Sequence, residues 1–297
     1  MLTKLVVRNF KRFGDVEIEL GSPVVFIGPN NSGKTTALQA LALWEVGLRQ
    51  WIAKRGTKEA PARRPGVTIN RRDIVSVPVP DANLLWHNLR VRDTSKVDGK
   101  QQTRNVRIDI LVEGVNDEEA WACGLEFDYA NEESFYCRPL RLEESKEPRR
   151  MTIPGPAARV RVAFLPPMSG LAASETRLGP GAINVRLGEG RTAEVLRNLC
   201  YQVITGEDGQ GRWRALRDEI LGLFGVRLDV PRHVPERDEV TMSYRDPSGA
   251  SLDISAAGRG LQQTLLLLAH LSVNLGAVLL LDEPDAHLEI LRQRQIY

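Results

Sequence analysis

Cysteine is scarce. Cys123, Cys137 and Cys200 are the only three in 297 residues, none belongs to a C-x-x-C pair, and the number is odd. That argues against a disulfide framework and against a structural zinc site, and makes a reducing cytoplasm the natural setting. Long apolar runs are missing too. The opening MLTKLVVRNFKRFG has no apolar core of signal-peptide length. The most membrane-like stretch, Leu265 to Leu281, is interrupted by His270, Asn274 and Gly276 and is short for a span. It reads as a buried helix followed by a buried strand, and no membrane partner is expected. An excess of one charge is also lacking: 40 basic residues face 38 acidic ones, for a net charge of +2. This excludes a general polycation but leaves room for a local basic patch. No internal repeat and no sustained heptad run is visible, which excludes a solenoid and a long coiled coil.

What is present is an ordinary globular balance, 42% hydrophobic and 26% charged, that can fill a core. The length suits two domains or one large α/β unit. LTKLVVRNF and GDVEIEL read as strands joined by a turn at Phe13-Gly14, and PVVFIG as a third, buried strand. GKTTALQALALWEVGL is a helix with apolar residues on nearly every face, which belongs inside a domain. From Ile52 to about Gln102, glycine, proline and charge are frequent and the period is poor. This reads as an insertion with a short ordered piece around NLLWHNL. RNVRIDILVEG, AWACGLEFDYA and SFYCRPLRLEE suggest an antiparallel β subdomain, and RVRVAFLP a further strand. EGRTAEVLRNLCYQVIT and GRWRALRDEILGLFG have helical periodicity, with Leu196, Leu199, Cys200 and Val203 on one face of the first. Three short strands, VRLDV, EVTMSYRD and ASLDIS, precede a helix, GRGLQQTLLLLAHLSV, and the strand GAVLLLDE.

Three segments carry chemistry. GPNNSGKT, Gly28 to Thr35, fits G-x-x-x-x-G-K-[ST] between an expected strand and a helix, the setting of a P-loop. Gly28 and Gly33 let the backbone curl so that its N–H groups face phosphates, and the helix N-terminus adds its dipole. Lys34 reaches the β- and γ-phosphates, and the Thr35 hydroxyl ligates Mg2+. AVLLLDE delivers Asp282 to a strand end, where it would hold the Mg2+ shell, while Glu283 would polarise the attacking water. Alone, this would read as well as a strand ending in an acidic turn; the upstream P-loop favours the chemical reading. In SAAGRGLQQTLLLLAHL, Ser255, Gly258 and Gly260 open a buried helix. A second anion-binding helix start makes sense if it caps a γ-phosphate bound to another subunit. The plain alternative is a glycine-containing helix cap.

Together, the P-loop, the serine–glycine helix and LLLDEPDAHLE resemble an ABC-type ATPase. The opening LTKLVVRNFKRFGDVEIEL, with VAFLPPMSGLAASE and GEGRTAEVLRNL, resembles the RecF/SMC-like branch, and within it the ATPase halves of overcoming-lysogenisation-defect (OLD) nucleases and related AAA-type phage-defence ATPases. The resemblance spans most of the chain, patchily between Ile52 and Gln102, and its signature segment departs from the transporter pattern. It implies an α/β P-loop NTPase of ABC type with a mixed central sheet, an antiparallel β subdomain and a helical lobe. Lobe I would cover about 1–155 and lobe II about 156–297. It also implies ATP sandwiched in a homodimer. Gly28, Pro29, Asn30, Asn31, Ser32, Gly33, Lys34, Thr35 and Thr36 would bind from one subunit, and Ser255, Gly258 and Gly260 from the other. Pro284 to His287 would be the D-loop, His287 serving packing or dimer contact, and Lys11 and Arg12 would lie near nucleotide or in a solvated turn. No glutamine is assigned to the Q-loop. The family layout has a further strand with a switch histidine and, in OLD nucleases, a TOPRIM domain beyond the last helix, so the chain reads as an N-terminal piece of a longer protein or as a truncated gene product.

The expected function is Mg2+-dependent ATP hydrolysis by a dimeric nucleotide switch in DNA repair or phage defence. The alternative is a regulatory or scaffold subunit with little turnover of its own that controls a nuclease. A transporter subunit fits less well. For DNA, Lys54, Arg55, Lys58, Arg63, Arg64, Arg71 and Arg72 face only Glu59. A phosphate-backbone contact and an ordinary solvated loop are equally open readings, and no interleaved aromatics signal base stacking.

Overall fold

A computed structural model of the chain describes residues 1–29, 31–57, 65–97, 100–117, 119–142, 149–168 and 171–284. The chain divides into two compact units, Met1–Val162 and Ala163–Tyr297. Among the described residues no helix is long and apolar enough to cross a membrane.

In the first unit, β1 (Leu2–Phe10) and β2 (Phe13–Glu19) form a hairpin that turns at Lys11-Arg12, slightly ahead of the expected Phe13-Gly14. Helix α1 (Lys34–Arg55) follows. It runs further than its sequence start suggests and ends at Gly56, whose φ of +73° suits glycine. Next come β3 (Val67–Asn70), a hairpin of β4 (Arg92–Val97) and β5 (Lys100–Asn105), then β6 (Arg107–Asn116), β7 (Glu119–Asn131) and β8 (Ser134–Pro139). A small hairpin of β9 (Arg141–Leu142) and β10 (Arg149–Arg150) and a short helix α2 (Gly155–Arg159) close the unit. Six strands make one antiparallel sheet in the order β2-β1-β6-β7-β8-β3. The apolar set alternates, as strand geometry requires. Ile108, Ile110 and Val112 of β6, Leu125 and Phe127 of β7, Phe135 of β8, and Val67 and Ile69 of β3 are buried. Helix α1 packs against this sheet and buries Ala37, Leu38, Leu41, Leu43, Trp44, Leu48 and Trp51, as expected of an interior helix. The Trp44 indole N–H donates to the Cys123 carbonyl at 2.9 Å.

β7 is also buried at Glu126 and Asp128. Glu126 accepts from Arg138 and Arg150, and Arg107 lies 3.5 Å away; Asp128 pairs with Arg107 and Arg138. Asp109 stands directly across from Glu126 in the β6–β7 register, and its Oδ1 has no partner among the described residues.

One expectation fails here. Pro23 to Gly28 is not a strand: the segment carries no ladder, and Val25 and Ile27 are 57% and 92% exposed. An apolar run takes strand form only when a neighbouring edge supplies hydrogen bonds, and none of the sheets includes it. The described residues of the stretch from Ile52 also hold more regular structure than its composition suggests. β3 completes the main sheet, and Trp86, within short 3-10 turns, is buried among Tyr129 and Phe135.

The second unit opens on β11 (Val162–Leu165), which begins at the last residue of the first. Four helices follow: α3 (Pro180–Gly188), α4 (Leu196–Thr205), α5 (Gly209–Phe224) and, after the short strands β12 (Arg227–Leu228), β13 (Arg232–Val234), β14 (Glu239–Thr241), β15 (Ser243–Arg245) and β16 (Ser251–Asp253), α6 (Arg259–Val273). The last described strand is β17 (Val278–Leu281), which pairs with β11. Leu196, Leu199, Cys200 and Val203 form the buried face of α4 as read from the periodicity. That helix starts later than expected, because the chain first turns through Gly190 at φ +75° and one 3-10 turn at Thr192–Glu194. α3, which opens on a proline, is an element the periodicity did not reveal. β17 is less buried than its composition suggests, with Leu280 its one buried residue, since among the described residues its sheet has two strands.

Candidate nucleotide-binding and hydrolysis site

The P-loop belongs to the first unit and the acidic pair to the second. In the first, Gly28, Pro29, Asn31 and Ser32 are exposed, Gly33 and Thr36 are buried, and Asn30 lies outside the described residues. Gly33 has φ +107°, and a Cβ there would lie 2.6 Å from Cε1 of Phe13. Both the backbone and the space therefore demand glycine. The Lys34 ammonium donates to the carbonyls of Gly28 and Pro29 at 2.8 and 3.0 Å, so it closes over the mouth of the loop. α1 starts at a glycine, which has no side chain to cap it, and has no acid in its first turn, so no carboxylate of that turn opposes an anion at its positive end. Thr35 is exposed at that end.

The β1–β2 turn sits against this region. Lys11 donates to Gln39 of α1 at 2.7 Å, and the Lys11 carbonyl lies 2.8 Å from His87 Nδ1. Burial lowers the Lys11 ammonium to about 8.

In the second unit, Asp282 follows β17 directly, and its N–H donates to the Leu165 carbonyl of β11 at 3.0 Å. Glu283 is exposed, with φ +49°. The signature segment is close by through α6. Ser255 lies in a 3-10 turn, where Asp253 accepts both its amide (2.8 Å) and its hydroxyl (2.6 Å). Gly258 is the N-cap of α6 in extended conformation, and a Cβ there would meet nothing within 4 Å. Gly260 is the second residue of the helix. Gln262 ties the segment down, its amide donating to the carbonyls of Ile254, Ser255 and Ala257 at 3.1, 3.4 and 3.0 Å. Gln263 donates to the Pro284 carbonyl at 3.4 Å. The unit thus gathers signature segment and acidic turn at the start of one helix. Of the D-loop, Asp285 to His287 lie outside the described residues.

Sequence reasoning missed the support beneath these groups. Glu175 accepts from the amides of Arg197 and Asn198 at 2.9 and 3.0 Å and so caps α4 from 22 residues away. Arg197, itself buried, joins Glu175 to Asp253. Burial raises the Glu175 carboxyl despite these donors. Nothing local in the sequence announces such a pairing, whereas the two glutamines opening a leucine helix did offer a signal. Of the basic stretch, Lys58, Arg63 and Arg64 lie outside the described residues, as does Glu59. Arg71 pairs with Glu133 at 2.8 Å and also donates to the Val79 carbonyl.

Residues 1–45, which hold the β1–β2 hairpin, the P-loop and half of α1, match the family model of an AAA ATPase domain. This gives that segment the character of an ATPase nucleotide-binding element. No curated protein matches the chain. Similar solved structures include an SMC head domain from Thermotoga maritima, at 14% identity over 99% of this chain and 82% of that one, with a TM-score of 0.48. An SMC head bound to the C-terminal winged-helix domain of ScpA is similar at 13% identity, over 99% and 83%, with a TM-score of 0.49. An SMC head with an extended coiled coil, bound to a ScpA C-terminal domain derived from Pyrococcus furiosus, is similar at 14% identity, over 97% and 83%, with a TM-score of 0.46.

Proposed function

We propose that the chain binds and hydrolyses ATP with Mg2+, as one half of an ABC-type dimer that closes on nucleotide. The observation that carries this reading is the P-loop: a glycine locked at φ +107°, a lysine ammonium held on the loop carbonyls, and a helix start behind them with no acid in its first turn. Lys34 exchanges those carbonyls for phosphate oxygens, and the α1 amides take the rest of the anion. The Thr35 hydroxyl and the Asp282 carboxylate are hard oxygen donors, the chemistry Mg2+ prefers, and would hold it. When bound, Mg2+ neutralises phosphate charge. Glu283 accepts a proton from the water that attacks the γ-phosphorus, the bond to the β–γ bridging oxygen breaks, and ADP and phosphate leave.

Ser255, Gly258 and Gly260 serve the γ-phosphate of the other subunit. Gly258 favours this role, since neither backbone nor packing demands glycine there and the space above it is open. The placement in DNA repair or phage defence, with a nuclease domain or subunit as effector, follows from the sequence resemblance to OLD-like ATPases. Labelled-ATP binding, phosphate release and sizing with ATP test the reading. Lys34→Ala is expected to abolish binding, and Glu283→Gln to bind ATP and accumulate as dimer without turnover. Turnover at the wild-type rate in Glu283→Gln would refute the assignment of the base.

A further inference from the structure

Gln263 is 1% exposed and lies in the first turns of a helix that buries Leu261, Leu265, Leu266 and Leu267 together with the polar Gln262, Thr264 and His270. For packing alone a carboxamide is a poor choice here. Its Nε2 makes one long bond, 3.4 Å to the Pro284 carbonyl, and its Oε1 has no partner among the described residues. A half-satisfied amide in a core is less stable than an apolar side chain of similar shape. The residue it reaches is the one after Glu283. Glu283 has φ +49°, a conformation that a non-glycine residue keeps only when its surroundings hold it. That turn has an anchor on each side: the Asp282 N–H on β11, and Gln263 on α6. The preceding residue, Gln262, holds the signature segment by three carbonyls.

We infer that Gln263 is a positioning residue for Glu283. It fixes the left-handed turn so that the carboxylate is presented in one orientation, and the start of α6 ties that orientation to the signature segment through Gln262. The inference rests on the reading of Glu283 as general base. Gln263→Met tests it, since it keeps the volume and removes both hydrogen-bonding atoms. The variant is expected to melt at the same or a higher temperature, because an unsatisfied amide leaves the core. ATP affinity and KM should stay within about twofold, while kcat falls about tenfold, equivalent to about 1.4 kcal/mol in the barrier. Hydrogen exchange at the amides of Leu281 to Glu283 should rise about fivefold or more, with the amides of α6 unchanged. A role in packing alone would lower the melting temperature and leave the split between kcat and KM absent.

Unchanged exchange at 281–283 overturns the inference, and so does a variant that fails to fold. An unchanged kcat overturns it too, provided Glu283→Gln is inactive. Should Glu283→Gln turn over normally, the assignment of the base falls, and the exchange measurement decides alone whether Gln263 holds the turn.

Discussion

The Arg197 guanidinium lies 2.8 Å from Asp253 Oδ1, and the same oxygen accepts the Ser255 hydroxyl at 2.6 Å. Glu175 holds the other side of Arg197, so a buried ion pair ends on the serine of the signature segment. Arg197→Met leaves Glu175 in the core without its cation. The expected loss is about 3 kcal/mol in urea denaturation. Asp253→Asn, at a half-exposed carboxylate, should cost less than about 1 kcal/mol. Equal losses would show that Glu175 does not need its partner.

At the P-loop, Gly33→Ala meets two obstacles, a φ of +107° and the ring of Phe13 at 2.6 Å. The backbone obstacle alone costs about 1–2 kcal/mol. The variant should lose ATP binding by calorimetry. Adding Phe13→Ala should restore part of the thermal stability and little of the binding, because the ring can be removed but the backbone angle cannot.

Asp109 titrates unusually. Burial, and then the Glu126 carboxylate opposite, raise its pKa from 3.8 to about 6, against the pull of Arg107 and Arg8. The folded state therefore holds this proton more tightly than the unfolded chain. Its contribution to stability is present below about pH 4 and is lost as pH rises through about 6. Asp109→Asn should be more stable than wild type at pH 7–8, on the order of 2 kcal/mol, and equal to it near pH 4. Parallel denaturant curves at the two pH values would show no such crossover if Asp109 ionises freely in the fold.

The strands of the main sheet were legible because Ile108, Ile110 and Val112 recur at every second position, with Asp109 and Glu113 among the residues between and beside them. The interior character of α1 was legible because its apolar residues leave no polar stripe. The P-loop and acidic pair were legible because their residue types are dictated by phosphate and metal chemistry. The segment Val24 to Ile27 misled, since composition records how well a residue suits a sheet and not whether an edge is there to receive it. α3 stayed hidden because it is short and opens on Pro180 and Gly181, residue types as common in turns, although proline suits a first helical position. The brace of Glu175, Arg197 and Asp253 stayed hidden because its members are 22 and 56 residues apart and meet only in the fold.

The contact of Phe13 with Gly33 bears on how nucleotide binding is timed. The ring of Phe13, held in the β1–β2 hairpin, fills the space beside Gly33, so the loop has its shape without nucleotide. Ordering cost is then borne during folding, and affinity rises without a single added contact to the ligand. An insertion or fusion that loosens the first two strands would weaken ATP binding while leaving every phosphate-contacting residue in place.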